Sequence, residues 1–132
     1  MLAGHTVEKE IYGEVTTGAS NDLKNATALA KKLVTQYGMS ETMAPRTYGD
    51  HDDLIFLGRE ITEQRDYSEK VAEMIDQEIS SIITNAITRV KEVIKKNRQS
   101  LDKIVEVLVK KETLEKEEFE AIFKQTPGQA AA

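Results

Sequence analysis

The chain contains no cysteine, which excludes a disulfide framework and any thiolate metal site, and fits a reducing compartment. Aromatic residues make up only 5% of its 132 positions, so a core has to come from Ile, Leu, Val, Ala and Met. That supply suits helices packed on helices better than an aromatic-rich β-sandwich. The two prolines and seven glycines cluster outside the apolar-periodic stretches. No apolar run approaches the roughly 20 residues that span a bilayer, and no signal peptide opens the sequence. The chain as given is therefore expected to be soluble and to make no membrane contact of its own. A net charge of −5, without a basic stripe interleaved with aromatics, speaks against nucleic acid as a partner. Lys91, Lys95, Lys96 and Arg98 are matched by nearby acids, as on a solvated helix face. Charged residues reach 31%, but the apolar content is too high for a wholly disordered protein.

Periodicity predicts an all-α fold: a helical bundle with one long central helix, shorter packing helices and one long irregular loop. Leu2 to Tyr12 reads as a short helix ending before Gly13, and Gly13 to Ser20 as a loop. Ser20 or Asn21 can then cap a helix, with Asp22 placing negative charge at the positive end of its dipole. Leu23, Ala26, Leu29, Ala30, Leu33, Val34 and Tyr37 recur at helical spacing, and Gly38 supplies a stop. From Met39 to Arg65 no period holds. Pro45, Gly49 and Gly58 punctuate that stretch, and Leu54-Ile-Phe-Leu57 is its single apolar anchor, so it reads as a long loop of the kind that is usually functional or mobile, expected to be more mobile than the core. Ser68 to Asn97 carries Val71, Ile75, Ile79, Ile82, Ile83, Ala86, Ile87, Val90, Val93 and Ile94, one buried stripe on one long helix. A turn over Asn97 to Ser100 leads to a second stripe of Leu101, Ile104, Val105, Leu108 and Val109. Leu114, Phe119, Ile122 and Phe123 mark a last short helix. Residues 1–126 are expected to form one domain and 127–132 a flexible tail.

Two patterns imitate known sites. Gly13-Glu-Val-Thr-Thr-Gly18-Ala19-Ser20 has the glycine spacing of a phosphate-binding loop, but Ala19 stands where the phosphate-binding Lys belongs. His51-Asp52, with His5 and Asp76, imitates the ligand set of helical metal-dependent phosphohydrolases. That set needs rigid helices, whereas Tyr48-Gly-Asp-His-Asp-Asp53 is a polar loop.

Val15-Thr-Thr-Gly-Ala-Ser-Asn-Asp-Leu23, followed by Ala26-Thr27, resembles the segment that supplies the third zinc ligand in the FtsH family of membrane-anchored AAA proteases. Leu2-Ala-Gly4 and Glu8 look like the preceding helix of that family, and Val34-Thr-Gln-Tyr-Gly-Met-Ser40 like the end of the next. Phe56-Leu-Gly-Arg59 is similar to its loop signature, and Tyr67-Ser-Glu69 with Ile75-Asp76 to its long helix. Asn97-Arg98, Leu101-Asp102 and Glu112-Thr-Leu114 resemble its closing helices. The likeness runs in order along nearly the whole chain.

The resemblance implies that Asp22 is a zinc ligand; around it, Thr16, Thr17, Ser20 and Asn21 are able to orient the carboxylate by hydrogen bonds or to serve as ordinary loop and cap residues. It implies a parent that couples ATP hydrolysis, with magnesium in a separate ATPase domain, to proteolysis of unfolded or damaged membrane and soluble proteins. It further implies a hexamer anchored in a bacterial cytoplasmic or organelle inner membrane, with this part on the cytoplasmic or equivalent side. The family's His-Glu-x-x-His helix, which carries two imidazole ligands and the general base, has no counterpart here. The two histidines, His5 and His51, are not spaced as such a pair, and His5 stands where the family usually has Arg. This chain alone is therefore expected to hold no catalytic residue and to be inactive. Two other readings are a non-catalytic helical interaction module, which needs an exposed apolar stripe, and the phosphohydrolase, which needs His5, His51 and Asp52 to converge.

Overall fold

A computed structural model describes residues 1–49 and 66–125, and every described regular element is helical. The Leu54–Leu57 island, the Phe56–Arg59 signature and the 127–132 tail lie outside the described residues. The chain divides into two compact units, Met1–Thr88 and Arg89–Ala132.

In the first unit, helix α1 spans Leu2–Val7 and continues into a π-helical turn, Glu8–Tyr12, which stops at Gly13 in the left-handed conformation, φ 73°. Helix α2 spans Thr17–Thr35, with Thr16 at its N-cap in an extended conformation. The helix therefore begins before Ser20 and Asn21, the caps expected from the sequence, and Gly18 lies inside its first turn. The reason is tertiary. Thr16 is held by Glu8 from the preceding helix, and this fixes the entry that the Thr-Gly composition alone does not favour. At the other end, Gly38 takes φ 60° and the Met39 N–H bonds back to the Leu33 carbonyl at 3.0 Å, closing the helix with a left-handed cap.

The segment after α2 is better anchored than its sequence suggests. Met43 and Tyr48 are buried and join Val34 and Ile75 in the core, with Tyr67, Val71, Met74, Ile79 and Ile82 packed against them. The Tyr48 N–H bonds to the Thr35 carbonyl at 2.7 Å, and the Thr42 hydroxyl to Glu78 at 2.8 Å. The Gly49 N–H bonds to Asp66 at 2.7 Å, and the rings of Tyr48 and Tyr67 meet edge to face at 6.2 Å. These contacts tie residues 39–49 to both neighbouring helices.

Helix α3, Glu69–Lys96, is the long helix of the sequence reading, and the Ser68 hydroxyl accepts from the Val71 N–H at 3.3 Å to cap it. Its apolar stripe lies on one face, but of those ten side chains only Ile75 is buried, most are half-covered, and Val93 is 55% exposed.

The helical path of the second unit is interrupted at Asn97 alone, where φ is −109° and ψ 18°, before α4 runs over Arg98–Lys111. The expected turn over Asn97 to Ser100 is thus a single residue. On α4, Leu101, Ile104 and Val107 are half-buried, while Val105, Leu108 and Val109 are exposed, so the covered line is shifted from the expected one. Helix α5, Lys116–Lys124, starts with a reciprocal capping box between Glu115 and Glu118. Phe119 and Phe123 pack one turn apart with ring centroids 5.0 Å from each other.

Candidate metal centre

The site is set by the way the chain leaves α1 and enters α2. After the π-helical turn and Gly13, Thr16 returns to Glu8, which lies eight residues upstream. One carboxylate oxygen of Glu8 accepts from the Thr16 N–H at 2.9 Å, and the Thr16 hydroxyl donates to the same carboxylate at 2.9 Å. A threonine at an N-cap ordinarily turns its oxygen onto the first free N–H groups of its own helix. Thr16 makes no such cap, and its hydroxyl serves the clasp instead.

Thr17 opens α2, and its carbonyl accepts from the Ser20 hydroxyl at 2.6 Å. Asn21 is exposed. Asp22 is half-buried and lies on the same line of α2 as Ala19, Ala26 and Ala30, all three buried. Among the described residues no hydrogen bond or ion pair reaches Asp22. The first turn of α2 holds no acidic residue, and Asp22 sits beyond it. The helix dipole, whose influence fades within the first turn, therefore does not account for Asp22 as the sequence reading allowed.

The structure thus brings Thr16, Thr17 and Ser20 into the entry of α2 and places Asp22 a turn further along. The hydroxyls of Thr16 and Ser20 bond to Glu8 and to the Thr17 carbonyl respectively. Glu8 is the residue whose part the sequence reading missed. No local pattern links a glutamate to a threonine eight residues later across a π turn and a glycine, so the signal was absent from short-range spacing.

His5 lies half-buried on α1, with its Nδ1 shielded from solvent and without a hydrogen-bond partner among the described residues. Asp76 is exposed on α3, while His51 and Asp52 fall outside the described residues. Among the described residues no group of three or more His, Asp or Glu side chains could hold a metal ion. Asp22 therefore stands apart from any cluster of such side chains among the described residues.

Comparison with known proteins identifies the family. The family model for peptidase family M41 matches residues 1–122. The ATP-dependent zinc metalloprotease FtsH of Thermotoga maritima is 46% identical over 125 residues, which is 95% of this chain and 20% of that protein. The ATP-dependent zinc metalloprotease FtsH 1 of Sphaerobacter thermophilus is 46% identical over 122 residues, 92% of this chain and 19% of that protein. The Pseudothermotoga lettingae FtsH is 43% identical over 129 residues, 98% of this chain and 21% of that protein. The chain spans about a fifth of the length of the curated relatives it matches.

Proposed function

Because the chain belongs to peptidase family M41, we propose that residues 1–126 are the C-terminal helical part of the peptidase domain of an ATP-dependent zinc metalloendopeptidase, in which Asp22 supplies one carboxylate ligand to zinc. Membership in that family leaves no reason to prefer the phosphohydrolase or the interaction module. The observation that carries the assignment is the placement of Asp22. It is a half-buried carboxylate on the line of α2 that carries the buried Ala19, Ala26 and Ala30, past the reach of the dipole and without a partner among the described residues.

The residues present fit zinc in the chemistry of their donor. A carboxylate oxygen on a helix is a suitable third protein ligand beside two imidazoles. Those imidazoles and the general base come from outside this sequence, whose only histidines, His5 and His51, lack the spacing of such a pair. Zinc, when bound, polarises the scissile carbonyl and lowers the pKa of a water molecule. The task of this chain is positional: α2 presents Asp22, and α1 and α3 support α2. In the whole protein, a separate domain with ATP and magnesium feeds polypeptide substrates to the centre. The assembly is a hexamer anchored in a membrane, with this part on the cytoplasmic or equivalent side. Among the described residues no helix is long and apolar enough to cross a membrane.

The test is Asp22→Asn in the full-length protein. Bound zinc and casein hydrolysis should both be lost while ATP hydrolysis persists. Undiminished zinc content would remove Asp22 from the site.

A further inference from the structure

The clasp between Glu8 and Thr16 holds more than a loop. The first turn of α2 is intrinsically weak: Gly18 occupies it, no side chain caps it, and it carries no acidic residue to complement the dipole. Its residues from Thr16 to Ser20, apart from Ala19, are exposed, so packing contributes little there. What fixes the entry is the Glu8 carboxylate, which takes both the N–H and the hydroxyl of Thr16. The amides of Asn21, Asp22 and Leu23 in turn bond to the carbonyls of that first turn, as the spacing of an α-helix requires. If the turn opens, the backbone of Asp22 is released with it.

We propose that Glu8 is the positioning residue of the candidate metal centre: acting through Thr16, it keeps the first turn of α2 closed and so holds the Asp22 carboxylate in place without itself contacting the metal. The proposal rests on the reading of Asp22 as a ligand. Gly18 provides the means of separating a positioning role from a ligand role. It is helical, and a Cβ there would meet only the Thr16 hydroxyl oxygen at 3.6 Å, an ordinary contact. Gly18→Ala therefore strengthens the same turn by an independent route.

The experiment has two arms. In this chain, amide hydrogen exchange at Asn21, Asp22 and Leu23 should quicken about tenfold in Glu8→Ala, the factor expected for losing a charge-assisted hydrogen bond. Thr16→Val should reproduce the change, and Glu8→Ala combined with Gly18→Ala should reverse most of it. In the full-length protein, zinc affinity measured against a chelator should fall about 10- to 100-fold in Glu8→Ala, the usual cost of losing a residue that orients a ligand. The Gly18→Ala combination should recover it. Unchanged exchange in Glu8→Ala overturns the proposal. So does zinc affinity that stays low in the combined variant although exchange has recovered, because Glu8 would then act on the metal by another route. Zinc retained in Asp22→Asn overturns the underlying ligand assignment, and is told apart by the exchange arm, which does not depend on metal.

Discussion

Glycines at two positions show how the same substitution takes opposite signs at the residue scale. Gly18 is helical, and a Cβ there would make only an ordinary contact with the Thr16 hydroxyl oxygen at 3.6 Å, so Gly18→Ala should stabilise the chain by about 0.5–1 kcal/mol. Gly38 has φ 60°, and a Cβ there would lie 3.4 Å from the Pro45 backbone. Gly38→Ala should cost about 1 kcal/mol or more through strain in the left-handed region. Urea midpoints of the two variants should therefore move in opposite directions. Val34 is fully shielded at the centre of the Met43, Tyr48 and Ile75 cluster. Val34→Ala should cost about 2 kcal/mol, partly from the cavity it leaves, and a midpoint within error of the parent would mean that this cluster collapses freely. Both Gly38 and Val34 were legible in the sequence, one as a stop and one as an apolar position. Met43 and Tyr48 were not, because they stand in an aperiodic stretch whose burial depends on a neighbouring helix.

Among the elements, α5 has a pH dependence that can be worked out. Lys111 at the end of α4 pairs with Glu118 in the first turn of α5. The hydrogen bond from Lys111, then the Glu115 backbone N–H, hold the Glu118 carboxyl below its ordinary value of 4.5. The same pair raises the Lys111 ammonium above 10.5, chiefly through the hydrogen bond to Glu118 and its charge. A depressed carboxyl contributes stability that is present above 4.5 and lost as pH falls through the lower folded value. A raised ammonium contributes stability present below 10.5 and lost as pH rises past it. The α4–α5 contact should therefore hold across neutral pH and loosen at both extremes. The effect is small, since both groups face solvent. Ring chemical shifts of Phe119 and Phe123, followed as pH falls below 4.5, should move together with the Glu118 titration. In Lys111→Met the same midpoint should shift upward.

For the molecule as a whole, apolar surface remains uncovered on both compact units. In the first, Leu29 is 44% and Tyr37 58% exposed, and a groove of about 300 Å³ is lined by side chains that include Leu2, Ala26, Leu33, Ile82 and Ala86. On the second, Val105, Leu108, Val109 and Phe119 are exposed. Apolar patches of this kind favour association. The isolated chain should thus be helical by circular dichroism and self-associate with rising concentration. Sedimentation as a clean monomer at high concentration would contradict this. The same chain should show no casein hydrolysis with added zinc, and calorimetry should detect only weak zinc binding, because a single carboxylate competes poorly with hydration of the ion. Tight stoichiometric binding lost in Asp22→Ala would refute that expectation.

The sequence by itself determined the helical class, the long α3 and the segment that carries Asp22. Each follows from local rules: an apolar period near 3.6, a glycine able to take positive φ, and a run of residues shared with a family. Tertiary structure alone decided where α2 begins, which side chains of residues 39–49 enter the core and which line of α4 is covered. With Thr16 held by Glu8, α2 starts at Thr17, and Asp22 lies beyond its first turn. Local propensity is a weak prior, summed over a few neighbouring residues, whereas a helix entry or a buried tyrosine is fixed by a partner that the fold, not the neighbouring sequence, brings into contact.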